Sequence, residues 1–97
     1  MNAASPGVVS LFFRNDHYAN QEAYLLAIAE AMRSEYEAIA AAGVILQIDC
    51  PDLAMGRHIQ YADLTVEEFC ARARLHIEAL NHALGGVPPE RMRMHLC

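Results

Sequence analysis

The chain has 97 residues, 55% of them hydrophobic, and a mean hydropathy of +0.12; this excludes a disordered tail and leaves room for one small core. Charged residues make up only 20%, below the roughly 25% of an average soluble domain, so part of the surface is expected to meet other protein. The formal net charge is −5 and all seven basic residues are arginine, so no basic stripe exists to follow a phosphate backbone, which excludes nucleic acid as a partner.

No apolar run approaches the roughly 18 residues of a membrane span, so no membrane partner is expected. The opening MNAASPGVVS has neither the positive start nor the apolar core of a secretory signal. Cys50, Cys70 and Cys97 are odd in number and form no CxxC pair, which points to a reducing, cytoplasmic setting and not to a disulfide scaffold.

In chain order, Val8 to Phe13 (VVSLFF) is β-branched and aromatic, follows Pro6-Gly7, and is expected to be a buried strand. The polar loop Arg14-Asn15-Asp16-His17-Tyr18 leads to Asn20, a helix N-cap. Gln21 to Ala42 is rich in Ala, Glu, Leu and Met and predicts a helix whose apolar stripe is Leu25, Ile28, Met32, Tyr36 and Ile39, stopped by Gly43. Gly43 to Asp49 (GVILQID) predicts a second strand, with Val44, Leu46 and Ile48 on one face and Ile45, Gln47 and Asp49 on the other. Thr65-Val66-Glu67-Glu68 is a capping box, flanked by Leu64 and Phe69 as a staple, and opens a second helix. Its expected stripe is Phe69, Ala73, Ile77, Leu80 and Leu84, up to Gly85-Gly86. After Pro88-Pro89, Arg91 to Cys97 (RMRMHLC) alternates strictly and reads as a third strand.

The order strand, helix, strand, helix, strand, with long helices between short apolar strands, predicts parallel right-handed βαβ units. A parallel sheet is covered on both faces or closed into a barrel. Three strands and two helices do neither, so the expected fold is a slice of a larger α/β structure.

Parallel α/β folds gather function at the carboxyl ends of their strands. Three polar groups are expected there: Arg14 to His17, Asp49-Cys50, and His95-x-Cys97. Residues two apart on a strand lie on one side, about 6.6 Å apart along the chain, and an imidazole and a thiolate so placed can both reach one zinc ion. Alone, the triplet is read more readily as a packed strand end with a free cysteine than as a metal site. Asp49, on the face of Gln47, is either a loop cap or the acceptor of a cationic group. Cys50 and Cys70 are expected as small packing residues, His76 and His82 as solvated or partner-facing, and His58 at the rim of a site. Arg14 and His17 are candidates for an anionic substrate group.

Three stretches together, SPGVVSLFF, AAGVILQIDCPDLAM and RMRMHLC, resemble the C-terminal catalytic barrel of cobalamin-independent methionine synthase and its shorter single-barrel relatives. The middle stretch is similar to that family's "G…QIDEPA" segment and the last to its strand ending in H-x-C. The resemblance implies that residues 1–97 are part of one (β/α)8 TIM barrel, about a quarter to a third of a domain that typically needs about 250 residues. It also implies zinc as cofactor, with His95 and Cys97 as two of its ligands, and Asp49 as the group that holds the ammonium of the amino acid. The implied reaction moves a methyl group from 5-methyltetrahydrofolate, in polyglutamate form, to the thiol of homocysteine. Cys50 replaces the family's glutamate and Asp52 its alanine, while Pro51 is kept. These changes resemble the short relatives, some of which alkylate other thiols by opening epoxides. The implied partners are small thiols and methyltetrahydrofolate, with the rest of the barrel completing the fold and supplying the remaining zinc ligands. A stand-alone, non-catalytic βαβαβ interaction module is the alternative of a different class.

Overall fold

Ser5 decides how the chain begins. In a computed structural model that describes all 97 residues, Ser5 is extended and its Oγ accepts the Val8 N–H at 3.1 Å, while Pro6 occupies the first helical turn. That cap outranks the β-branched pair Val8-Val9, because Ser before Pro satisfies the free amides of a helix start. The expected strand over Val8–Phe13 is therefore a helix, α1 (Pro6–Phe12), and the first strand is the short segment before it, β1 (Asn2–Ala4).

The next helix, α2 (Gln21–Ala41), forms as its composition predicts: Asn20 accepts the Ala23 N–H at 2.8 Å, and Gly43 takes the left-handed φ of +85° beyond its end. Leu25, Ala29, Tyr36 and Ile39 are its buried residues, with Met32 packed beside them. Strand β2 (Leu46–Asp49) starts three residues later than the composition suggested, and Val44 and Ile45 remain exposed. Two 3₁₀ turns, Pro51–Leu53 and Met55–Arg57, follow it.

The capping box then opens α3 (Val66–Ala83): the Glu68 N–H donates to Thr65 Oγ1 at 3.1 Å, and the Thr65 N–H donates to Glu68 Oε2 at 2.9 Å. Its buried residues are His76, Ala79, Leu80 and Ala83, whereas Ile77 is 43% exposed. The helix is thus turned from the expected stripe, with His76 inward and Ile77 outward. A 3₁₀ turn, Pro89–Arg91, leads to β3 (Met92–His95).

All pairings in the sheet are parallel and its order is β1-β2-β3. Successive right-handed crossovers in one direction place their helices on the same face. One core accordingly joins Ala3, Leu46 and Ile48 of the sheet to Leu25, Ala29, Tyr36 and Ile39 of α2 and to Ala79, Leu80 and Ala83 of α3. The Tyr36 hydroxyl donates to the Ala4 carbonyl, tying α2 to the end of β1. Phe12 and Phe13 at the β1 side, 72% and 66% exposed, and Met94 at the β3 edge, 52% exposed, leave apolar surface at both margins. The architecture is a mixed α/β layer with a three-stranded parallel sheet, compatible with a βαβαβ segment. No helix is long and apolar enough to cross a membrane.

The substitution Thr65→Ala removes one half of the capping box and is expected to lower stability by about 1 kcal/mol in urea unfolding; an unchanged midpoint would mean that the box does not hold the start of α3.

Candidate functional site

The helix-free face of the sheet carries a row of polar side chains. Asn2, Gln47 and Arg93 stand abreast in register, and Ala4, Asp49 and His95 form the next rank toward the carboxyl ends. Register partners share a face, so these positions lie opposite Ala3, Leu46 and Ile48 of the core. Arg93 Nε donates to Gln47 Oε1 at 2.9 Å, and Gln47 Nε2 donates to Asp49 Oδ1 at 2.9 Å. The chain Arg93–Gln47–Asp49 runs across two strands and toward their ends, with Gln47 and Asp49 half-buried and Arg93 and His95 exposed.

The expected site residues are placed as follows. Asp49 and His95 are direct cross-strand neighbours, joined further by the Cys50 N–H donating to the His95 carbonyl at 2.8 Å. Cys97 is exposed, two residues past the end of β3, with a left-handed φ of 65°, so strand alternation does not extend to it. No group of three or more His, Cys, Asp or Glu gathers to hold a metal ion. The donors His95 and Cys97 are of the kind zinc takes, and no third donor gathers with them into one group.

The remaining expected positions are placed as follows, some as expected and some not. Arg14 and His17 follow a helix, not a strand, and Arg14 is engaged with Asp16 at 2.8 Å in an exposed pair. His58 is exposed. Cys50 packs in the core as expected, but Cys70 faces solvent on α3. His82 is exposed and bonded to Glu30 at 2.7 Å; that bond, helped by the Arg33 charge, holds the Glu30 carboxyl below its ordinary range.

His76 is the clearest correction. It is 2% exposed, not solvated, and its Nδ1 lies 2.8 Å from Asp52 Oδ2. The other oxygen of Asp52 accepts the Ser5 hydroxyl at 2.7 Å, and Ser5 and Asp52 are as deeply buried as His76. Gly7 closes over the pair: a Cβ there would collide with Asp52 Oδ2 and His76 Nδ1. This buried carboxylate joins the end of β1, the turn after β2 and the middle of α3. The sequence carried its traces, Ser-Pro-Gly after one strand, Pro-Asp after another, and a histidine three and four residues from the apolar positions Ala73 and Leu80. What hid it was the assignment of Val8–Phe13 to the sheet, which put Ser5 outside the core.

Both Ser5 and His76 bond to Asp52, not to each other, so the arrangement is no nucleophile–base pair. It is a bracket: the Ser5 N–H also donates to the Asp49 carbonyl at 3.0 Å, so Ser5 grips the 49–52 turn by backbone and side chain together. The surroundings are tight and apolar. Burial pushes the Cys50 thiol up to about 11, with the Asp52 charge adding to the effect, and burial likewise raises the Tyr36 and Tyr61 hydroxyls.

Removing the bridging carboxylate by Asp52→Ala strands the buried Ser5 and His76 groups and is expected to cost about 3–5 kcal/mol; chemical denaturation of this variant and of Gly7→Ala, expected to fall below wild type as well, checks the bracket. The raised Cys50 value also sets a pH dependence. Its neutral form is favoured by folding, so that contribution is complete below the ordinary thiol value of 9.0 and is lost as pH rises toward about 11. Cys70 and Cys97 are expected to react with iodoacetamide at pH 8 while Cys50 stays protected until unfolding; equal labelling of all three would contradict the burial. No family model matches the chain, and neither the curated proteins nor the solved structures yield a match to it.

Proposed function

We propose that this chain is part of a (β/α)8 barrel whose open, polar sheet face is the inner wall of an active site, and that the barrel methylates a small thiol. The observation that carries this reading is the single-sided winding: three parallel strands in chain order with the two long helices, α2 and α3, packed on one face, and a polar row ending in Asp49 beside His95 on the other. In a barrel that face points inward, and the strands' carboxyl ends form the mouth. The apolar margins at Phe12, Phe13 and Met94 fit the places where neighbouring strands and helices would pack.

The methyl donor is 5-methyltetrahydrofolate and the acceptor homocysteine, in a cytoplasmic setting. His95 and Cys97 would hold zinc together with ligands from the rest of the barrel, and zinc when bound supplies the Lewis acidity that keeps a thiol ionised at neutral pH. Asp49 accepts hydrogen bonds from the ammonium of the acceptor amino acid. Gln47 fixes the Asp49 carboxylate by donating to one oxygen, which leaves the second oxygen for the ligand. The bracket at Ser5, Asp52 and His76 holds the peptide that carries Asp49, and such fixed geometry is what alignment of donor and acceptor requires. Alkyl transfer from an epoxide to another thiol is the related reading, favoured by Cys50 and Asp52 standing where the resembled segment has glutamate and alanine.

Titration of the chain with Co²⁺ as a zinc surrogate tests the metal site. A thiolate-to-cobalt charge-transfer band is expected, lost in Cys97→Ser and retained in Cys70→Ser; a band that survives Cys97→Ser rejects the ligand assignment. In the complete barrel, Asp49→Asn is expected to raise the KM for homocysteine about tenfold or more, as loss of a charge-assisted bond does, with zinc content unchanged.

A further inference from the structure

We infer that Arg93 is an anion-binding group, and that the open row takes a ligand presenting an oxyanion to its guanidinium. This rests on reading the open face as the site, and it adds a ligand chemistry that Asp49, His95 and Cys97 do not supply.

The orientation of Gln47 is the starting point. Only its amide oxygen can accept from Arg93 Nε, and only its amide nitrogen can donate to Asp49 Oδ1. Both neighbours demand the same orientation, so the amide is locked with its oxygen toward the cation and its NH₂ toward the anion. Arg93 and Asp49 do not meet as an ion pair; the ion pairs of this chain are Arg14–Asp16, His76–Asp52 and His82–Glu30. The chain has twelve acidic residues against seven arginines, yet none of the twelve neutralises this guanidinium. Gln47 stands between the two charges and keeps both available.

Arg93 donates through Nε alone. A guanidinium has five donors in a planar fork, and the two terminal nitrogens are the edge that grips an oxyanion in bidentate fashion. With Nε pinned by Gln47, the plane of the fork is set before a ligand arrives, which lowers the entropic cost of binding. The neighbours on this face, Asn2 one strand beyond Gln47 and His95 one step along β3, add donors and no competing carboxylate. A ligand suited to the row therefore carries a carboxylate, sulfonate or phosphate for Arg93, and a cationic or donor group for the free oxygen of Asp49.

The test is an NMR titration of the 97-residue chain at constant ionic strength, following the Arg93 Nε–H and Gln47 side-chain amide signals. Propionate, ethanesulfonate and ethyl phosphate serve as anionic probes, and propylammonium as the cationic control. Saturable shifts of the Arg93 Nε–H are expected with at least one anion, none with propylammonium, and the response distinguishes which oxyanion fits best. Arg93→Gln is expected to weaken that binding about tenfold or more, and Gln47→Leu to weaken it as well by freeing Arg93 to turn to Asp49. Arg93 is exposed, so Arg93→Gln keeps the fold, and amide spectra verify the fold of both variants, Gln47 being half-buried. Shifts no larger than those from sodium chloride, or saturable shifts that persist in Arg93→Gln, overturn the proposal. The titration contains no metal and no thiol, so its failure leaves thiol methylation standing, and failure of the metal titration leaves this result standing.

Discussion

Handedness is the constraint on which this structure depends. A parallel strand, a crossover and a second parallel strand pack right-handed in nearly all known cases, and here two such crossovers step in the same direction, from β1 to β2 and from β2 to β3. The helices then have one face to share, and they share it: α2 and α3 bury Tyr36, Ile39, Ala79 and Leu80 against Leu46 and Ile48. Alternation along the strands does the rest. Each residue between the core positions, Gln47, Asp49, Arg93 and His95, is sent to the other face, where no helix arrives. The polar row follows from topology and the two-residue repeat together.

A face of that kind is useful only if its geometry is held. The buried carboxylate of Asp52 supplies this by tying three elements at the carboxyl end of the sheet, with Ser5, Asp52 and His76 each within 2% of full burial. Its interior surroundings make the bonds strong and their loss costly. Gly7 has a structural duty in the same place, since any side chain there would drive into the bonded pair. Asp49 sits three residues before Asp52, on the same turn that Ser5 grips, so the rigidity of the bracket passes directly to the candidate ligand group.

The two long helices, the Thr65 capping box, the Gly43 stop and the strand through Leu46 and Ile48 were legible from the sequence because each rests on local chemistry: composition, caps and a two-residue repeat. The parallel order was legible from the alternation of elements. Val8–Phe13 was misread because its β-branched and aromatic content was weighed above the Ser5-Pro6 cap, a local signal for a helix start. That displacement also carried Arg14 and His17 away from the strand ends. His76 could not be read from one helix alone. Its inward turn, at the expense of Ile77, is decided by Asp52, 24 positions earlier in the chain, and a distant partner of this kind leaves no periodic trace. The placing of Asp49 and His95 at neighbouring strand ends was legible because both close their strands; that Gln47 and Arg93 stand side by side came only from the register.

The central claim is that the helix-free polar face, at the carboxyl ends of β2 and β3, is the working surface of this chain. Amide and side-chain shift mapping on addition of Zn²⁺ tests it most directly, because every histidine and cysteine competes in one experiment. The account predicts that the largest changes fall on Asp49, His95 and Cys97, with Gln47 and Arg93 following and the Asp52–His76 pair unmoved. Largest changes at Cys70, or at the exposed His82–Glu30 pair, with the polar row silent, would contradict it.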